Sequence, residues 1–261
     1  MSGSQVLSYQ LLGVKVHALT LQDMNLKIGQ AVSSRSRMIV VSQNLHSVYI
    51  FHRDRELRLL HSLADYVRVD GTPILLFGRI LGYPLGREHR FGWMDWIEPF
   101  MSTARQNGWR LFYLGSRPGV AEKGIGRLRQ QFPGLEIGFH HGYFDVSAQS
   151  EESQAVVSAI NAYRPDILIV GMGMPRQEKW ILRNHEGLNA TVLITSGACL
   201  DYIAGAIPTP PRWLGPVGLE WLFRLASEPT RLWRRYLVEP WFAVGLFAAD
   251  LWTKLSGSQR R

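Results

Sequence analysis

The sequence ILIVGMGMPRQEKW, residues 167–180, joins a short apolar run to a glycine-rich loop and a charged segment. Five apolar residues ending at glycine are typical of a strand that is buried on both faces of a parallel sheet. Gly171 and Gly173 would let the main chain approach a ligand closely. Arg176 and Gln177 add side-chain donors at a helix N-terminus, which attracts phosphate. The stretch predicts a strand, a ligand-binding loop and a helix; a plain strand–loop–helix connection is the alternative.

Other apolar runs along the chain have the length of buried strands. They are residues 38–42 (MIVVS), 66–69 (YVRV), 111–115 (LFYLG), 137–139 (IGF) and 192–195 (VLIT). Segments with helical periodicity lie between them, at residues 44–63, at 121–132 and at a helix that ends with 156–163. Strands separated by helices predict an α/β fold, a Rossmann-like parallel sheet with helices on both faces.

The composition changes after residue 207, where prolines 208, 210, 211 and 216 make an irregular stretch. Residues 219–233 and 237–255 then have a helical pattern, with a break expected near Glu239-Pro240. We therefore expect an α/β catalytic domain at residues 1–207 and a helical appendage at residues 208–261.

The charge points to anionic partners. The formal net charge is +8, and eight basic residues stand against four acidic ones from Arg212 onward. The N-terminus lacks a signal-peptide pattern, and the longest apolar stretch, residues 241–249, is too short to span a bilayer. The single Cys199 allows no internal disulfide. We expect a cytoplasmic protein held peripherally at the inner face of the membrane, with no nucleic-acid partner.

Polar residues follow three of the predicted strands, at residues 42–44, 70–72 and 171–173. The carboxyl ends of parallel strands share one edge of a sheet, where ligands bind. Asp70 could accept a proton from a hydroxyl, or it could cap its own turn. Ser42 and Asn44 could orient a sugar, although capping the following helix is the simpler interpretation locally.

The arginines of the C-terminal segment follow helical spacing. Arg224, Arg231 and Arg234 are seven and three residues apart, which predicts a shared face that could bind a diphosphate. A solvated helix face is the alternative. Tryptophans in the same segment favour a membrane interface; they are Trp213, Trp221, Trp233, Trp241 and Trp252.

Two classes of site are not supported by the motifs. The sequence has no D-x-D pair and no histidine pattern typical of metal ligands, so we expect no metal and no cofactor. An early G-x-G-x-x-G with an acidic residue ~20 positions later, as a nicotinamide-dependent enzyme would show, is also absent.

Several segments together resemble the WecG/TagA/CpsF family, glycosyltransferase family 26. They are VSQN (41–44), VDGTPI (69–74), LGSRPGV (114–120), FPGL (132–135), GYF (142–144), GMGMPRQEKW (171–180), SGACLDYIAG (196–205), GLEWLFR (218–224) and EPTRLWRR (228–235). The resemblance implies a metal-independent, inverting transfer from a UDP-sugar to a sugar linked to undecaprenyl diphosphate.

The same resemblance implies roles for single residues. Asp70 matches the general base of the family, while Asn44 and Ser42, which replaces a threonine, line the active site. Gln177 matches a glutamine near the nucleotide. Substrate-binding arginines are implied at Arg90, Arg224, Arg231 and Arg234, the last three in an appendage that covers the site and faces the membrane.

The chain departs from the family pattern in two places. The R-x-x-G-x-D segment reads RFGWMD at residues 90–95, and an R-A-P segment is replaced by TPP at residues 209–211. The tryptophan- and arginine-rich style is similar to xanthan-type exopolysaccharide glucosyltransferases, which makes UDP-glucose the expected donor. A transferase using UDP-N-acetylmannosamine or its uronic acid is the alternative within the family. A non-catalytic, membrane-bound polyanion-binding module is the alternative of another class, and a homo-oligomer stays open.

Overall fold

The computed structural model describes residues 6–147, 149–211, 214 and 219–256, and it contains an eight-stranded sheet in the order β1-β2-β4-β3-β8-β7-β5-β6. The strands are β1 Ser8–Leu11, β2 Val14–His17, β3 Met38–Gln43, β4 Tyr66–Val69, β5 Leu111–Gly115, β6 Ile137–His140, β7 Ile167–Gly171 and β8 Val192–Thr195. The hairpin β1–β2 is antiparallel, and the other pairings are parallel.

Helices cover both faces of the sheet, as predicted. They are α1 Leu21–Ser34, α2 Leu45–Phe51, α3 Arg55–Leu63, α4 Thr72–Ile80, α5 Trp93–Gln106, α6 Val120–Gln131, α7 Glu151–Tyr163, α8 Arg176–Asn184, α9 Cys199–Ile203, α10 Glu220–Ser227, α11 Pro229–Trp233 and α12 Glu239–Leu255. One apolar core lies under α1, α5, α6 and α9, and the other lies under α2, α3, α4, α7, α8 and α12. Strands β5, β7 and β8 are buried at every position because both cores use them.

The helix predicted at residues 44–63 is two helices. The chain leaves the helical path at Asp54, whose carboxylate caps α3 by accepting the main-chain N–H groups of Glu56 and Leu57. Lys179 of α8 lies 2.6 Å from the same carboxylate. This tertiary contact favours a new cap over a continuous helix.

The C-terminal break also lies elsewhere than predicted. The chain is non-helical at Glu228, just before Pro229, whereas Pro240 lies in the first turn of α12, where its missing N–H costs nothing. A π-helical turn, Arg234–Val238, joins α11 to α12. The sequence features at Arg212, Trp213 and Pro216 lie outside the described residues, and no helix among the described ones is long and apolar enough to cross a bilayer.

The last helix packs into the second core. The ring of Phe247 stacks on Phe77 of α4 at 4.5 Å between centroids. The Asp250 carboxylate accepts the main-chain N–H of Leu12 at 2.7 Å, in the left-handed turn of the β1–β2 hairpin. Helix α12 therefore belongs to the core as much as to the appendage.

We expect Asp250→Ala to lower the free energy of unfolding by about 1–3 kcal/mol, because the Leu12 N–H loses its acceptor. Urea titration followed by circular dichroism measures the change. Thr253→Ala is the control, since its exposed hydroxyl bonds a carbonyl of its own helix. Equal stability of the two variants would contradict a role for the Asp250 contact.

Candidate active site

The carboxyl ends of β4, β3, β8 and β7 follow one another along one edge of the sheet. This edge brings together Asp70, Asn44 and the loop from Gly171 to Gly173, as the sequence predicts. The end of β8, with Ser196 and Gly197, comes between them and was not predicted as part of the site.

Asp70 lies at the centre of this edge. Its Oδ2 is 3.4 Å from Nδ2 of Asn44, and its Oδ1 is 3.6 Å from Nη1 of Arg68. The side chain is 29% exposed. The carboxylate thus contacts other side chains and solvent, as a proton acceptor for a bound hydroxyl would need to do.

Asn44 combines both of its predicted roles. Its Oδ1 accepts the main-chain N–H of Ser47 at 3.1 Å, which caps α2. Its amide nitrogen faces Asp70. Ser42 is buried at the register position beside Arg68, below the strand end.

The glycine-rich loop of β7 is tied to the loop of β8 by Gln177. Its Oε1 accepts the N–H groups of Gly173 at 3.2 Å and Gly197 at 3.1 Å, and its side chain is buried. Both glycines have positive φ with open space where a Cβ would lie, so this part of the edge can receive a ligand. Gly171 instead packs tightly, since a Cβ there would lie 2.0 Å from the Tyr113 hydroxyl.

Arg176, predicted to bind phosphate, is bonded to main-chain carbonyl groups. Its guanidinium donates to the carbonyl oxygens of Gly142, at 3.0 Å, and Phe144. In this conformation it fixes the loop after β6 at the N-terminus of α8.

The arginines of the appendage do not lie along one continuous helix face as the spacing predicted. The helix is interrupted at Glu228, which separates Arg224 from Arg231 and Arg234. Arg234 is exposed, whereas its neighbour Arg235, at the start of the π turn, is half-buried and lies within electrostatic range of Asp70 and Arg224. Arg235 is therefore a basic residue near Asp70 that the spacing did not indicate.

The other appendage arginines have partners on the same side. Arg224 lies over the Tyr202 ring at 5.1 Å and interacts electrostatically with Asp70. Arg231 makes two 2.6 Å hydrogen bonds to Glu228. Positive charge therefore lies over the strand ends, where a diphosphate would need it.

Two contacts hold the appendage against the edge. Arg90 lies 3.4 Å from Asp95 and 3.3 Å from Glu220 of α10, and its main chain pairs with Val69, one residue before Asp70. On the other side, His46 Nδ1 and Glu239 Oε2 are 2.6 Å apart.

Arg68 was not predicted as part of the site, although a charged residue between two valines of a strand is an unusual pattern. Nor was Asp201, whose carboxylate accepts the Ser116 hydroxyl at 3.2 Å. Burial raises the pKa of Asp201. Nothing in the local pattern around Asp201 indicated this pairing.

Glu178 carries a buried carboxyl group directly behind the glycine-rich loop. It is 2% exposed, and its Oε1 accepts the Gln177 amide at 2.7 Å. Burial raises its pKa to about 7. The folded protein therefore holds a proton there that the unfolded chain releases at lower pH, so stability falls as pH rises from about 4.5 to 7.

We expect Glu178→Gln to flatten this dependence, because the amide carries no charge to bury. Between pH 4.5 and pH 8 the wild type should lose about 3 kcal/mol more unfolding free energy than the variant does. Urea titrations at both pH values measure it, with exposed Glu122→Gln as the control. If the unfolding free energies of the wild type and of Glu178→Gln change with pH in parallel, the buried Glu178 carboxyl group does not cause the pH dependence.

The chain is similar to known proteins over most of its length. A sequence model of the glycosyl transferase WecG/TagA/CpsF family matches residues 9–257. Two relatives named N-acetylglucosaminyldiphosphoundecaprenol N-acetyl-beta-D-mannosaminyltransferase, from Staphylococcus aureus strains MW2 and NCTC 8325, are each 30% identical over 234 residues. The matches cover 88% of this chain and 89% of each relative. The chain belongs to the WecG/TagA/CpsF family and is a glycosyltransferase.

Proposed function

We propose that the enzyme transfers N-acetylmannosamine from its UDP-sugar to N-acetylglucosamine linked to undecaprenyl diphosphate, with inversion at the anomeric carbon. The names of the relatives support N-acetylmannosamine as the sugar transferred and this acceptor, and they give no support to the expected glucose. The observation that carries the proposal is the partly exposed Asp70 carboxylate beside open glycine loops and appendage arginines. A non-catalytic polyanion-binding module would not need this arrangement.

In the proposed mechanism Asp70 takes the proton of the acceptor hydroxyl. The hydroxyl oxygen forms a bond to the anomeric carbon as the bond from that carbon to the diphosphate breaks. Asn44 keeps the carboxylate oriented through its 3.4 Å contact. Since an in-line attack reverses the configuration, one carboxylate is sufficient for an inverting transfer.

The leaving UDP carries the electron pair of the broken bond. We assign its diphosphate to the open loops of Gly173 and Gly197, with Gln177 holding both loops in place. Arg224 and Arg231 would stabilise the developing charge. Residues 208–261 form the appendage in this proposal, with α12 as its fixed end.

We expect Asp70→Asn to lower kcat by ~10²–10⁴-fold because the amide cannot accept the proton. UDP affinity should change little. Asp65→Asn, just before the opposite end of the same strand, is the matched control and should turn over normally, since its carboxylate accepts the main-chain N–H of Ile39 at 2.8 Å, far from the cleft. Near-normal turnover of Asp70→Asn would remove Asp70 from the mechanism.

A donor panel tests the substrate and the absence of a metal requirement together. We expect product from UDP-N-acetylmannosamine with the lipid-linked N-acetylglucosamine acceptor, and none from UDP-glucose. Activity should survive exhaustive EDTA treatment, because arginines and main-chain N–H groups can take the place of a divalent ion. Product from UDP-glucose alone would contradict the proposed donor. Loss of activity that Mg²⁺ or Mn²⁺ restores would contradict the proposed independence of metal.

We also propose that the appendage contacts the inner, anionic face of the membrane, where the acceptor lipid lies. Trp241 and Trp252 of α12 are 74% and 75% exposed, and Trp233 is 48% exposed. Exposed tryptophans beside arginines such as Arg234 suit the headgroup region. Peripheral binding of this kind would place the cleft near its acceptor.

We expect the double variant Trp241→Ser and Trp252→Ser to bind anionic vesicles roughly tenfold more weakly, since less apolar area enters the interface. Sedimentation with phosphatidylglycerol vesicles measures this. Leu26→Ser, an exposed apolar residue of α1, is the control. Unchanged vesicle binding of the double variant would contradict the proposed orientation.

A further inference from the structure

A buried arginine lies directly behind the proposed base. Arg68 is 1% exposed in the middle of β4, two residues before Asp70. Its Nη1 donates to the Phe91 carbonyl at 2.6 Å and lies 3.6 Å from Asp70 Oδ1. Among the described residues, its Nε has no hydrogen-bond partner. The guanidinium is thus held at one end and faces the carboxylate.

Three aromatic rings surround this guanidinium. The centroids of Phe91, Trp93 and Trp96 lie 5.4, 6.0 and 5.7 Å from its central carbon. The rings are fixed in turn, since the Trp93 indole donates to the Thr195 carbonyl at 2.8 Å. These tryptophans fall in or next to the segment that departs from the family pattern, and they are buried around Arg68.

Burying a guanidinium costs several kcal/mol unless a carboxylate compensates it. Burial lowers the pKa of Arg68, and Asp70 is the strongest group that opposes this effect. Asp95 acts on Arg68 less strongly and is paired with Arg90. The buried charge of Arg68 is therefore compensated mainly by the Asp70 carboxylate.

We propose that Arg68, surrounded by the three rings, is a positioning residue that keeps the Asp70 carboxylate oriented toward the acceptor. The inference rests on the proposed function, in which Asp70 is the base. An arginine with one donor fixed on a carbonyl and stacked rings around it has little freedom, so it can fix the carboxylate. The tryptophans then act on the reaction through Arg68.

Other groups also act on Asp70, and they come from several elements. They are Arg68 on β4, Arg224 on α10, Arg235 on the π turn, Cys199 on α9 and the amide of Asn44 before α2. Replacing Arg68 leaves the two appendage arginines in place. The effect of replacing Arg68 can therefore be measured while the positive charges of Arg224 and Arg235 remain near Asp70.

The test is a comparison of kcat and KM for Arg68→Met in the full-length enzyme. We expect kcat to fall about tenfold while KM for donor and acceptor changes by less than about twofold, because a base that is no longer held in place weakens the transition state and not substrate binding. Arg37→Met is the matched control. Its guanidinium donates to the Leu188 carbonyl at 2.8 Å, at the opposite end of the sheet, so its loss should lower stability but leave kcat unchanged.

A wild-type kcat for Arg68→Met, or a rise in KM without a fall in kcat, would overturn the inference. If that variant does not fold, Arg68→Gln, which keeps a donor for the Phe91 carbonyl, is measured with the same expected fall in kcat and the same contrary result. An unchanged kcat together with an inactive Asp70→Asn would refute only the role of Arg68. An active Asp70→Asn would refute the base itself.

Discussion

The contact between the Asp70 carboxylate and the Arg68 guanidinium determines how this site is arranged. One partner is almost fully buried and the other is partly open to solvent, so a single ion pair connects the core to the cleft. Register places Ser42 beside Arg68, and Asn44 follows on the neighbouring strand. The site thus combines a compensated buried charge at Arg68, a helix cap at Asn44 and a strand end at Asp70.

Residues 219–256 contact the rest of the α/β fold in two ways. Helix α12 packs on the second core through Phe247 and Asp250, as a structural helix would. The segment before it carries Arg224 and Arg235 over the strand ends and is held by the Arg90–Glu220 pair. In the proposed function the anionic diphosphate would therefore lie near residues 220–238, a segment with few buried residues that precedes the firmly packed α12.

Sequence alone predicted the parts of the fold that local patterns determine. Strands β4, β5, β7 and β8 have the predicted limits because each is a short, bounded run of mostly apolar residues. The hairpin β1–β2 and helices α1, α4 and α5 were not predicted. The break at Asp54 is accompanied by a contact with Lys179, and the interruption at Glu228 separates Arg224 from Arg231 and Arg234; a regular helical period shows neither. Arg68 and Asp70 are two residues apart, which places them on one strand face, but the Phe91 carbonyl and the tryptophans around Arg68 come from outside the strand and could not be predicted locally.

In the proposed function UDP lies at the ends of β8 and β7 under the C-terminal arginines, beside Asp70 at the end of β4. Hydrogen–deuterium exchange of the full chain with and without UDP tests this most directly. The account predicts slower exchange in residues 171–178, 195–199 and 220–236, where the glycine loops and arginines lie. Protection confined to the cavity beside His141 and Tyr143 at the end of β6, about 330 Å³ in volume, would contradict it.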